Sequence, residues 1–266
     1  MLRTLTDLKD YSIGATDGAI GQVKDFYFDD EAWVVRYFVV ETGTWLSSRK
    51  VLISPIALGN ANWPARHLSV SVTRQQVKDS PDIDTDKPVT RQHEATLLDH
   101  YDYPCYWNGT GLSDQVTHPK VSLAGLGYGG ASSEYRQALA ENARANIEAD
   151  AVLHVHDDHH LQSCKAIMTY HIHATDGDIG HVRSFLVDEE TWAIRYIIVD
   201  TSNWWIGHRV LIAPQWICGI AWAGFKVSVD LTRDAVKGSP PYSSASQMDR
   251  DEEMGIYRKR VAQAHG

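Results

Sequence analysis

From Trp33 to Thr42 almost every position is apolar. In an extended chain Trp33, Val35, Tyr37 and Val39 fall on one face, with Val34, Arg36, Phe38 and Val40 on the other. Both faces are therefore largely apolar, and a strand buried on two sides in a short domain calls for a small, strongly curved sheet. Ahead of it, Asp17-Gly18 lies between two apolar runs. An Asp-Gly pair tolerates the positive φ of a tight hairpin, so the next strand is expected over Ile20 to Phe28. Within that strand Val23 and Phe26 are three apart rather than two, which predicts a bulge. Asp29-Asp30-Glu31 reads as a turn, Lys50 to Ile53 as a further strand, and Leu68 to Val72 as the closing strand. Thr73-Arg74-Gln75-Gln76 has the spacing of a capping box and opens a short helix ended by Ser80-Pro81.

The same pattern is written twice. Ile13-Gly14-Ala15-Thr16-Asp17-Gly18-Ala19-Ile20-Gly21 returns as Ile172-His173-Ala174-Thr175-Asp176-Gly177-Asp178-Ile179-Gly180. Carried without a gap to Ser80-Pro81 and Ser239-Pro240, the shift leaves roughly 30 identities in about 70 positions, far above chance. Trp33 matches Trp192, Arg36 matches Arg195, Tyr37 matches Tyr196, and Trp45, Trp63 and Val51-Leu52-Ile53 match Trp204, Trp222 and Val210-Leu211-Ile212. Arg91 and Glu94 pair with Arg250 and Glu253, so each copy carries a short helical tail. Thr232 preserves the helix cap, but Ala235 replaces its reciprocal partner and predicts a weaker cap. Between the copies a glycine-rich stretch gives way to an alanine-rich one, which predicts a linker with a surface helix or disordered spacer. The expected division is 1–101 for the first domain (core 8–81), 102–160 for the linker and 161–266 for the second domain (core 167–240).

The pattern Ala-Thr-Asp-Gly-x-Ile-Gly-x-Val, then Phe-x-x-Asp, then Trp-x-x-Arg-Tyr, then Val-Leu-Ile-x-Pro resembles the PRC-barrel family, and both copies carry it. The resemblance spans about 140 of the 266 residues. It implies a mainly β fold, two small PRC-type β-barrels related by internal duplication, each with a short helical tail. The family includes the cytoplasmic barrel of the photosynthetic reaction-centre H subunit and the C-terminal domain of the ribosome maturation factor RimM. The implied role is docking or assembly with no chemistry of its own. The chain lacks the membrane helix that precedes the first of these barrels and the RNA-maturation domain that precedes the second, so neither specific function carries over.

Composition narrows the partners. Among 266 residues, 34 Asp and Glu oppose 25 Lys and Arg, a formal charge of -9, without the local cationic excess that nucleic-acid phosphate or anionic lipid requires. No apolar run approaches the roughly 20 residues of a membrane-spanning helix. Met1 to Asp7 has no apolar stretch of secretory type, which points to a cytoplasmic protein. Cys105, Cys164 and Cys218 are odd in number and lack metal-type spacing, so no disulfide framework is expected.

Four constellations could carry chemistry. His154-Val155-His156-Asp157-Asp158-His159-His160, with His171 and His173 beyond, could bind Zn, Ni or Cu; the alternative is a solvated entry into the second domain. Gly125-Leu126-Gly127-Tyr128-Gly129-Gly130 satisfies Gly-x-Gly-x-x-Gly with Glu148 downstream, but too few residues surround it for the parallel sheet that a dinucleotide loop caps. Asp17, Asp29 and Glu31, echoed by Asp176, Asp188 and Glu190, could serve as paired carboxylates for acid-base work or as calcium ligands; the alternative is turn residues, with Arg36 or Arg195 as charge partners. Trp45 and Trp204 are expected to fold back over their own barrels, while Trp205 and Ile206 make the second loop the more apolar and single out Trp205 as a protein anchor. No nucleophile elbow or zincin motif is present. The expectation is a non-catalytic interaction or assembly module, with no cofactor, a protein partner and possible self-association; the alternative is a metal-binding protein using His154 to His160.

Overall fold

A computed structural model describes residues 1–83, 88–104, 160–201, 208–237 and 242. The chain is mainly β and divides into two compact units, Lys9–Ser163 and Met1–Leu8 together with Cys164–Gly266. Each contains one seven-stranded sheet.

In the first unit the strands are β2 (Ser12–Ala15), β3 (Gly18–Asp29), β4 (Val34–Glu41), β5 (Lys50–Ile53), β6 (Leu58–Asn62), β7 (His67–Val70) and β8 (Leu161–Ser163). The order is β5-β4-β3-β2-β7-β6, with β8 on β3; the β2·β7 pair is parallel and the others antiparallel. Gly18 has φ +146°, as the hairpin turn after Asp17 requires. The register of β3 against β4 shifts between Val23 and Asp25, where the sequence spacing predicts a bulge. Val34 to Val40 are all buried, so β4 is covered on both faces. Trp33 is not part of that strand. It closes the preceding turn with φ +54°, and Trp192 does the same with φ +63°. Two short strands, β6 and β8, carry no sequence signal: β6 reads Leu-Gly-Asn-Ala-Asn, and β8 is three residues long.

Helix α2 (Arg74–Lys78) starts at the predicted capping box: Thr73 Oγ1 accepts from the Gln76 N–H at 3.2 Å, and the Thr73 N–H donates back to Gln76 Oε1 at 2.8 Å. The helical tail is α3 (Arg91–His100), capped by Thr90, with Glu94, Ala95, Leu97 and Leu98 buried.

The second unit repeats this plan. Its strands are β1 (Leu2–Thr4), β9 (His171–Ala174), β10 (Gly177–Asp188), β11 (Ile194–Asp200), β12 (Arg209–Ile212), β13 (Ile217–Ala221) and β14 (Lys226–Val229). The order is β12-β11-β10-β9-β14-β13, with β1 on β10, and β9·β14 is the parallel pair. The second unit also holds short helices α1 (Leu5–Leu8), α4 (Cys164–Ile167) and α5 (Arg233–Lys237). At the start of α5 Thr232 Oγ1 accepts from the Ala235 N–H at 3.2 Å. Leu2, Leu186, Tyr196, Ile198, Leu211 and Ala213 form one apolar cluster here.

The units do not follow the linear repeat. Leu2 to Thr4, which open the first copy, pair with Leu186 to Asp188 of the second sheet. Leu161 to Ser163, which open the second copy, pair with Tyr27 to Asp29 of the first. Leu2 to Thr4 thus join the sheet of the second unit, and Leu161 to Ser163 that of the first.

Candidate functional site

The four repeated aspartates accept hydrogen bonds from backbone N–H groups. Asp17 Oδ1 accepts the Arg74 N–H at 2.8 Å, and Asp176 Oδ1 accepts the Arg233 N–H at 2.8 Å, so each hairpin turn also holds the start of a short helix. Asp29 Oδ1 accepts from the N–H groups of Glu31 and Ala32 at 3.1 and 2.8 Å, while its Oδ2 meets Arg36 Nη2 at 3.1 Å in a buried pair. Asp188 Oδ1 does the same for Glu190 and Thr191 at 2.8 and 3.1 Å. Burial pulls the Asp188 carboxyl upward, but the backbone bonds from Thr191 and Glu190 prevail and hold it below its ordinary value. Arg195, unlike Arg36, is exposed.

A buried polar cluster stands beside Asp29 in the first unit. Tyr37, from the middle of β4, donates its hydroxyl to Glu94 Oε1 at 2.9 Å. His160 Nε2 lies 2.6 Å from Glu94 Oε2, and the two side chains are 1% and 0% exposed. The Asp30 N–H donates to the His160 carbonyl at 3.2 Å. Burial, reinforced by the neighbouring charges of Asp29 and Glu31, pushes the Asp30 carboxyl up to about 6. The cluster joins helix α3, strand β4 and the chain entering β8. In the sequence His160 stands only in a histidine run, and Glu94 only as the counterpart of Glu253. Their meeting depends on chain folding across 66 residues. His154 to His159 and the Gly125 to Gly130 motif lie outside the described residues.

Each unit also presents an aromatic corner. Tyr11 and Trp63 have ring centroids 6.2 Å apart, and Tyr170 and Trp222 repeat that distance. The third position differs. Arg66 places its guanidinium 5.0 Å from the Tyr11 ring centre, whereas Phe225 meets Tyr170 edge-on at 5.4 Å and is 62% exposed. Both residues adopt a left-handed backbone, φ +53° and +50°. The adjoining strand differs in the same sense: β6 offers Asn60 and Asn62 where β13 offers Gly219 and Ala221, and Ala61 is replaced by Ile220.

Trp45 folds back as predicted. Its Nε1 donates to the Ile20 carbonyl at 2.5 Å, and the Arg74 guanidinium stacks 4.2 Å from its ring centre. Trp204, Trp205 and Ile206 lie outside the described residues.

Residues 3–63 match the family model of the PRC-barrel domain. The chain is also similar to an uncharacterised protein of Deinococcus radiodurans, 31% identical over 93 residues, which covers 31% of this chain and 33% of that protein. The chain thus spans about a third of the length of that relative. The matched segment contains the Asp17-Gly18 hairpin, the Asp29 turn and strands β2 to β5. The chain carries a PRC-barrel domain in its first half.

Proposed function

We propose that this protein is a non-catalytic interaction module made of two PRC-type barrels that arose by duplication. The matching strand order, together with registers such as Ser12↔Gln22 and His171↔His181 that coincide under the 159-residue shift, supports the duplication. The repeated aspartates serve turns and caps in both units, which fits a scaffold rather than a reaction site. One observation carries the functional reading: the second unit exposes Phe225 beside Trp222, at the position where the first unit has Arg66. Aromatic side chains supply much of the energy of protein interfaces, and a single exposed phenylalanine on a corner of rings is a docking anchor.

The matching experiment replaces Phe225 by the residue at the same place in the first unit. F225R keeps a side chain known to tolerate this backbone conformation at Arg66. A defined protein partner, or a second copy of the chain, that is retained by wild type and lost from F225R at unchanged circular dichroism is the expected result. Equal retention by both proteins overturns the assignment of this surface, and turnover of a small-molecule substrate overturns the non-catalytic reading.

A further inference from the structure

Strand β8 of the first unit is hydrogen-bonded on both of its edges. On one side it pairs with β3, Leu161 opposite Asp29. On the other, the Val89 N–H donates to the Leu161 carbonyl at 3.1 Å and the Leu161 N–H donates to the Val89 carbonyl at 3.4 Å. Strand β1 holds the matching place in the second unit, with Leu2 opposite Asp188. The Asp188 N–H donates to the Ala193 carbonyl, and the Asp188 carbonyl accepts from the Trp192 N–H. The N–H and carbonyl of Leu2 therefore face away from β10, as alternation along an antiparallel pair requires. Among the described residues neither has a hydrogen-bond partner, although Leu2 is only 5% exposed. Buried backbone groups are nearly always paired, so this edge calls for a further strand.

The chain itself carries a segment suited to that edge. In the first unit Val89 leads into α3, whose Arg91 meets Glu31 at 3.6 Å and whose Glu94 accepts from the Tyr37 hydroxyl. Under the 159-residue shift Val89, Arg91 and Glu94 become Met248, Arg250 and Glu253. The groups they meet, Leu161, Glu31 and Tyr37, become Leu2, Glu190 and Tyr196. Both sides of three contacts are thus repeated, the opposite charges of one pair included. The buried Ala95, Leu97 and Leu98 of α3 become Met254, Ile256 and Tyr257, which again carry apolar surface. Tyr242 packs against the apolar cluster that holds Leu2 and Tyr196. From there the chain to Met248 can span up to about 20 Å, enough to reach β1.

We propose that residues 248–257 of the same chain dock on this edge, with Met248 added to β1 at Leu2 and Glu253 reaching the Tyr196 hydroxyl. This docking rests on the duplication proposed above. Two backbone hydrogen bonds at Leu2 satisfy the groups that β10 leaves over and close β1 to strand addition by other molecules. The apolar side chains that follow cover the cluster around Tyr196, and burial of that surface drives the contact.

The test is disulfide trapping in the full-length chain with its native cysteines replaced (C105S, C164A, C218S). L2C is combined with M248C, and V89C with L161C is the reference, a pair whose backbones exchange both hydrogen bonds. The Cα atoms of such a pair stand about 5.5 Å apart, within the span of a disulfide. After mild oxidation, mass spectrometry of tryptic peptides should find the 2–248 bridge within one chain at a yield comparable to the reference. A second measurement leaves Leu2 in place. M248P with E253A should speed deuterium exchange of the Leu2 amide about tenfold or more. Absence of the 2–248 bridge overturns the proposal, as does a bridge formed only between two chains, which would make a second copy the occupant. Unchanged exchange at Leu2 also overturns it. None of these failures touches the strand registers that support the duplication, and F225R judges the docking role separately.

Discussion

His160 Nε2 and Glu94 Oε2 stand 2.6 Å apart with both side chains sealed from solvent. This contact, with the Tyr37 hydroxyl on the other carboxylate oxygen, ties α3 and the start of β8 to β4. Removing one member of such a buried set leaves the others in a low-dielectric site. Each buried polar group left without its hydrogen-bond partner costs about 1–3 kcal/mol.

E94A should therefore lower the unfolding free energy of the first unit by about 2 kcal/mol or more, measured by urea denaturation. A change within about 0.5 kcal/mol, the range of ordinary surface substitutions, would show that the cluster contributes nothing to stability.

A second prediction concerns the glycine that ends the shared Ile-Gly signature. A Cβ at Gly21 would overlap the Glu41 carbonyl oxygen, and one at Gly180 would overlap the Asp200 carbonyl oxygen. The neighbouring strand passes too close for any side chain, and Gly180 also has φ +155°. G21A and G180A should each destabilise by about 1–3 kcal/mol, as overpacking does. G59A is the control, because nothing nearer than 3.7 Å would meet its Cβ. Equal denaturation midpoints for G21A and G59A would refute the steric account.

The third prediction follows from Asp30. Its folded-state value of about 6 lies above the ordinary 3.8, so the fold favours the protonated form. The associated stability is fully present below about pH 4 and is lost as the pH rises through about 6. D30N removes this dependence and should stabilise the protein relative to wild type more at pH 7.5 than at pH 4.5. Asp30 is only partly enclosed, so solvent screening keeps the difference small. Denaturation curves at the two pH values decide it; a gap between variant and wild type that does not widen with pH removes Asp30 as the cause.

Strands β2 to β5 and their equivalents were legible because each rests on local chemistry. The Asp17-Gly18 turn, the Val23-to-Phe26 spacing and the Thr73 cap act within a few residues, and their repetition at 159 positions strengthens each reading. The carboxylates at Asp29 and Asp188 were likewise readable as turn residues, since Asp favours that geometry through bonds to its own backbone. Trp33 was misplaced by one step because an apolar run does not show where a left-handed turn ends and a strand begins.

What lay beyond the sequence was set by contacts that no local pattern encodes. Leu2 pairs with Asp188 and Leu161 with Asp29, and a three-residue strand has no period to read. Only chain folding brings His160 to Glu94. Side-chain alternation and turn preference are properties of neighbouring residues, and the order of residues alone determined those. Which strand lies beside which, and therefore which polar groups meet, is decided by burial of apolar surface across the whole chain.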